Sequence, residues 1–124
     1  IESKNLLLSI KEKTKNNNKI TLTIWLWYWW QDEIIRATKN IINSWIDPEK
    51  LTIQEFKKYL DTHFLPNPDL IVRTGWDIRH SGFLLFDSQY SEYYFTEKKW
   101  PEFDETEFNK MISFYNNSKR NFWK

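Results

Sequence analysis

An α/β fold with a mainly parallel sheet flanked by helices is predicted by three features of this sequence. Short apolar runs without charge, at residues 21–28, 70–72 and 93–96, suit strands covered on both faces, as parallel strands are. Stretches with apolar residues at helical spacing fall between and after them, so strands and helices alternate along the chain. No linker-like stretch and no internal repeat divides the 124 residues, of which 40% are hydrophobic. A chain of that length and composition can bury one small core, so residues 1–124 read as a single unit.

Taken in order, residues 6–15 read as the end of a helix with Leu6, Leu7 and Ile10 on one side, closed by Asn16, Asn17 and Asn18. Residues 21–28 are β-branched and aromatic and predict the first strand. Asp32 begins a helix whose apolar face is Ile34, Ile35, Thr38, Ile41 and Ile42. Asp32 and Glu33 there sit at the positive end of the helix dipole. Thr52 and Glu55 form a capping-box pattern that opens a short helix to Leu60, stopped by Pro66 and Pro68. The second strand is residues 70–72, followed by a loop, a short helix over 82–86 and a third strand at 93–96. Trp100 and Pro101 break the chain. Asp104 then caps a last helix, with Glu107 three residues on and Phe108, Met111, Ile112 and Tyr115 as its stripe.

Composition narrows the functions. A net charge of +1 supplies no basic field for nucleic acid, so none is expected as a partner. The absence of cysteine excludes disulfides and thiolate metal sites and suits a reducing compartment, with the cytoplasm as the default. The longest apolar run, residues 20–30, contains threonines and is shorter than the roughly 20 residues of a membrane span. Nothing resembles a signal peptide. His63 and His80 are not strong catalytic candidates, and His80, inside a loop, reads as a loop hydrogen-bonder.

In parallel sheets, ligands bind beyond the carboxyl ends of the strands, so the loop 73–81 is where a site belongs. It holds Arg73 and Arg79 with Thr74, Gly75 and Ser81. A guanidinium fork matches two phosphate oxygens, a hydroxyl can donate to a third, and glycine lets backbone N–H groups approach. The same residues in a loop also describe a solvated surface, and their spacing alone does not choose.

A longer pattern does choose. Residues 68–75 (Pro-Asp-Leu-Ile-Val-Arg-Thr-Gly), then Arg79, Ser81, Phe83, Leu84, Leu85, Tyr90, Ser91, Glu92, Tyr94, Phe95, Thr96 and Trp100 to Phe103, resemble the C-terminal signature of cis-prenyltransferases of the undecaprenyl diphosphate synthase type. Residues 22–28 and Asp32, Glu33 and Ile34 resemble the strand and helix that precede it. The resemblance implies the cis-prenyltransferase fold truncated at its N-terminus, with 1–124 as the C-terminal part of one domain. It implies that Arg73, Arg79 and Ser81 bind the diphosphate of isopentenyl diphosphate, and that Glu92 lies near Mg²⁺. Asp77 matches an acidic family position. The partners implied are isopentenyl diphosphate, an allylic diphosphate and a second copy in a homodimer, with a membrane lipid as product and a cytoplasmic location, peripheral at the membrane. The family's catalytic aspartate and allylic-diphosphate turn belong to the N-terminal half, so this chain alone is expected to be inactive.

Departures from the family pattern cluster on tryptophan. Trp29 and Trp30 stand where the family has paired glycines, Trp76 where a second glycine follows Gly75, and Trp123 where one follows the final Arg-x-Phe. Trp45 takes a helix-capping glycine position, and Trp25 and Trp27 lie in the strand. Either of the last two alone would read as a packed aromatic. There are 2 Gly and 8 Trp, against roughly nine glycines expected at about 7% usage. The pattern predicts UGA codons read as glycine in the source organism and rendered as tryptophan, with only Trp100 matching a family tryptophan. Gln31 replaces a family arginine, and Asn121 stands where the tail arginine would, with Arg120 beside it.

The leading expectation is part of an enzyme that makes a cis-polyprenyl diphosphate, the lipid carrier for cell-wall sugars. The alternative is a non-catalytic dimerising subunit, against which the retained Arg73, Arg79 and Ser81 argue. An aromatic membrane-surface module ranks last, because residues 25–30 lack basic flanks.

Overall fold

The computed structural model describes residues 2–119. Its strands, β1 (Leu70–Thr74) and β2 (Glu92–Thr96), pair in parallel, from Leu70 opposite Glu92 to Thr74 opposite Thr96. A parallel pair cannot be closed by a tight turn, so residues 75–91 form a crossover that leaves the carboxyl end of β1 and returns to the start of β2. The helices are α1 (Glu2–Thr14), α2 (Trp30–Asn43), α3 (Ile53–Lys57) and α4 (Glu105–Asn117). Two of the expected caps form: Thr52 Oγ1 accepts from the Glu55 N–H at 3.1 Å, and Asp104 Oδ1 from the Glu107 N–H at 2.8 Å. Each satisfies a first-turn amide that the helix itself leaves open.

Three expected elements are corrected. Residues 21–28 are irregular: among the described residues they make no ladder bond with β1 or β2, and Trp27 has φ 65°. An extended segment without a partner strand leaves its amides to water, and Leu22 and Ile24 stay exposed. The described sheet thus has two strands, not three. Residues 82–86 make turns instead of a helix, because Ser81 (φ 53°), Gly82 (φ 75°) and Leu84 (φ 51°) are left-handed and a right-handed helix cannot run through them. Finally, α3 stops at Lys57, and residues 58–64 continue as turns.

The inward face of α2 is also not the isoleucine stripe. Glu33, Ala37 and Ile41 are buried at i, i+4, i+8, while Ile35 and Ile42 are exposed. Glu33 is only 2% exposed, and its carboxylate accepts from the Tyr28 hydroxyl at 2.5 Å and the Thr62 N–H at 3.2 Å. Those partners offset the cost of burying a charge that hydropathy alone would place outside. Among the described residues, Leu60 and Met111 complete the buried apolar set. On α4, buried Glu107 accepts from the Tyr94 hydroxyl at 2.8 Å, tying the helix to β2. Buried Asp87 faces Lys57 Nζ at 2.9 Å and pins the end of the crossover to α3. Among the described residues no helix is long and apolar enough to cross a membrane.

Candidate functional site

The crossover folds back over the end of β1 and gathers the predicted residues. Arg73, the fourth residue of β1, donates from Nη1 to the Arg79 carbonyl at 2.8 Å and to Ser81 Oγ at 2.7 Å. Its Nη2 meets Asp77 Oδ2 at 3.3 Å, and Arg79 Nη2 donates to the same oxygen at 2.6 Å. Arg73, Arg79 and Ser81 therefore share one site, with Asp77 bridging both guanidinium groups. Sequence reasoning had matched Asp77 only to an acidic position. Its spacing, four residues after one arginine and two before the other, was the available signal.

The loop holds this shape through unusual backbone. Gly75 has φ 94° with open space around it, so its conformation rather than crowding calls for glycine. Its N–H donates to the Lys98 carbonyl at 2.8 Å, fastening the loop to the segment after β2. Ser81 is left-handed without being glycine, and the Arg73 bond to its hydroxyl is the contact that holds it. His80 secures the next residue: its Nδ1 accepts from the Gly82 N–H at 2.9 Å. The proton of the neutral ring is then on Nε2, which donates to Ser88 Oγ at 3.1 Å. The ring meets Tyr93 edge-on at 5.3 Å. His80 is a loop hydrogen-bonder, as expected.

A cleft of about 330 Å³ opens here, with Arg73, Thr74, Arg79, His80 and Ser81 at its polar side and Ile71, Val72, Phe83, Tyr93 and Phe95 forming apolar walls. Cations beside a hydrocarbon-lined wall suit a small molecule with an anionic head and an apolar body. A larger cavity of about 640 Å³ lies between residues 23–25 and the turns after α3. Its basic residue Lys58 is committed to Glu55 at 2.6 Å and its Asp61 to Arg36, so no pair of cations converges there. Elsewhere, burial and then the hydrogen bond to the Glu33 carboxylate push the Tyr28 phenol well above the ordinary tyrosine range.

Glu92 stands apart. It opens β2 opposite Leu70, three residues and therefore about 10 Å along the strands from Arg73. The described residues contain no cluster of three or more potential metal-ligating side chains. Gln31 is the second residue of α2, and its Oε1 accepts from Trp29 Nε1 at 3.2 Å. Arg120, Asn121 and Trp123 lie outside the described residues.

Known proteins share both sequence and architecture. The family model for undecaprenyl diphosphate synthase prenyltransferases matches residues 2–123. An isoprenyl transferase of Oceanobacillus iheyensis is 44% identical over 94 residues, covering 73% of this chain and 37% of that protein. A crystal structure of a probable undecaprenyl diphosphate synthase from Campylobacter jejuni superposes with TM-score 0.78 at 30% identity, over 98% of this chain and 56% of that one. Lavandulyl diphosphate synthase from Lavandula x intermedia superposes with TM-score 0.85 at 22% identity, over 95% of this chain and 52% of that one, a likeness of fold. The chain spans less than two fifths of the length of the curated relative. With a family match over nearly its whole length, the chain belongs to the undecaprenyl diphosphate synthase family of prenyltransferases.

Proposed function

We propose that the cleft at the end of β1 binds the diphosphate of isopentenyl diphosphate, and that the intact protein condenses this substrate onto an allylic diphosphate to give a cis-polyprenyl diphosphate. The observation that carries the reading is the convergence of Arg73, Arg79 and Ser81 on one cleft with apolar walls. In this reading residues 1–124 are the C-terminal part of a single domain, and the N-terminal part supplies the catalytic aspartate and the allylic site. The chain alone then binds one diphosphate without turning over.

The chemistry asks little proton transfer of these residues. The carbon–oxygen bond to the allylic diphosphate breaks with its electron pair leaving on the diphosphate. The π electrons of isopentenyl diphosphate form the new carbon–carbon bond, and a proton is then lost from the resulting cation. Arg73 and Arg79 neutralise and orient the condensing substrate, which places its double bond within attack distance. Phe83, Tyr93 and Phe95 exclude water from the apolar part.

Mg²⁺ would supply charge neutralisation for the leaving diphosphate. The described residues do not make that site by themselves, since Glu92 belongs to no cluster of three or more potential ligands and opens β2 opposite Leu70, three residues before Arg73. Glu92 is retained as one proposed ligand, with substrate phosphates and residues beyond this chain completing the shell, as Mg²⁺ sites commonly do. A homodimer, a membrane-lipid product and a cytoplasmic location, peripheral at the membrane, complete the reading. The exposed apolar residues of α1 and α4, among them Leu6, Ile10, Phe108 and Ile112, are surfaces available to such a dimer. A purely non-catalytic dimerising subunit would have no use for the assembled cleft.

The test is steady-state kinetics on the full-length protein. Arg79→Ala is expected to raise the KM for isopentenyl diphosphate about tenfold or more, the scale of one lost charge-assisted contact, with the KM for the allylic substrate little changed. An unchanged KM for isopentenyl diphosphate refutes the assignment.

A further inference from the structure

Two tryptophans occupy backbone that tryptophan disfavours. Trp27 has φ 65° and Trp45 φ 55°, in the left-handed region where a Cβ crowds the following carbonyl and glycine is the default. Strain of this kind persists where packing holds the residue, yet Trp27 is 101% and Trp45 93% exposed. Trp45 also directly follows Ser44, the C-cap of α2. That is the position at which a left-handed glycine most often ends a helix.

The neighbouring tryptophans point the same way. Trp76 follows left-handed Gly75 in the crossover and is exposed. Trp29 is the exposed N-cap of α2 and makes no side-chain capping bond. The Trp30 indole lies so close over Gly82 that a Cβ there would overlap it. Trp100 is exposed too, and like Trp29, Trp30 and Trp76 it is not left-handed, but it precedes Pro101 in a 3₁₀ turn and stacks on Phe103 at 5.9 Å.

We infer that one codon written as tryptophan is decoded as glycine where the protein is made, so that positions 25, 27, 29, 30, 45, 76 and 123 carry glycine and position 100 alone carries tryptophan. A reassigned codon acts at every occurrence, so the seven positions stand together. That includes Trp25, whose ring meets Tyr28 at 5.5 Å and Phe64 at 6.2 Å, and Trp123, outside the described residues. The composition closes with it. Glycine rises from 2 to about nine, the number that ordinary usage of about 7% gives for this length. The site changes as well: two glycines then follow Thr74, which lines the cleft, and backbone N–H groups there can approach an anion. The Trp30 indole between the start of α2 and the crossover is removed. Whatever the cleft binds, the inference stands on the left-handed, exposed backbone at 27 and 45 and on composition.

The experiment is peptide sequencing by mass spectrometry of the protein purified from its source organism, with the codons read from the same cells. Glycine at 27, 45 and 76 together with tryptophan at 100 is expected, with UGA at the seven positions and UGG at 100. Tryptophan in the peptides at 27, 45 or 76, or UGG at any of the seven, overturns it.

Discussion

Arg73→Lys tests whether Arg73 acts as an anchor of the crossover as well as a charge. Its guanidinium reaches three acceptors at once: the Arg79 carbonyl at 2.8 Å, Ser81 Oγ at 2.7 Å and Asp77 Oδ2 at 3.3 Å. A lysine keeps the charge but ends in one tetrahedral ammonium, which cannot span the loop in the same plane. At least one of the two short bonds is lost, at about 1.5–3 kcal/mol for a charged donor. The arginine side chain is 26% exposed, which favours the lower half of that range. About 2 kcal/mol corresponds to about thirtyfold weaker binding of inorganic pyrophosphate, measured by calorimetry on the full-length protein, with circular dichroism confirming the fold. Combined with Ser81→Ala, the cycle should show a coupling of about 1 kcal/mol, since the two side chains touch. Affinity of Arg73→Lys within about twofold of the parent, or additivity within about 0.3 kcal/mol, would refute the reasoning.

Asp77→Asn removes a carboxylate that any anion must displace from both arginines. It is expected to bind pyrophosphate about fivefold more tightly, the scale of a partly exposed ion pair of about 1 kcal/mol, and weaker binding contradicts the displacement. His80→Asn keeps an acceptor for the Gly82 N–H and should hold affinity within about threefold, whereas His80→Leu orphans that amide and should lose about tenfold; equal effects sink the positioning role. Ala37→Leu forces volume beneath α2 at a fully buried site and should cost about 1–3 kcal/mol in urea unfolding, with no loss contradicting the packing. Hydrogen bonds from Tyr94 first, then Thr96, hold the Glu107 carboxyl below the ordinary glutamate range. A depressed folded value gives stability that is present above the unfolded value and lost as pH falls through the folded one. Tm should therefore be flat from neutrality to about pH 5 and fall below about pH 4, and a Glu107→Gln protein with the same acid slope would contradict this.

What the sequence made legible in the fold is what local chemistry controls. The caps at Thr52 and Asp104 form because a side-chain oxygen and an open amide lie within one turn of each other. β1 and β2 form because each is a short apolar run whose partner lies within the chain. Residues 21–28 are no less strand-like by composition, but a strand is made by its neighbour, and no single segment encodes that. The face of α2 was misjudged for a related reason. Glu33 turns inward because Tyr28 and Thr62 converge on it, a tertiary event that hydropathy cannot register.

At the site, the residue types were legible and the arrangement was not. Arg73, Arg79 and Ser81 could be named from the pattern, but the spacing could not show that Arg73 spends its fork on the loop itself. Arg73 Nη1 is committed to the Arg79 carbonyl and Ser81 Oγ, so much of its donor capacity goes to shaping the loop. Arg79 is 64% exposed and its guanidinium meets Asp77, so in the proposed reading it is the arginine freer to reach a diphosphate. Ser81 and Phe83, which both line the cleft, lie in the run that contains left-handed Ser81, Gly82 and Leu84. The failed helix at 82–86 and the assembled cleft are therefore one fact about the backbone, and loosening the first should empty the second.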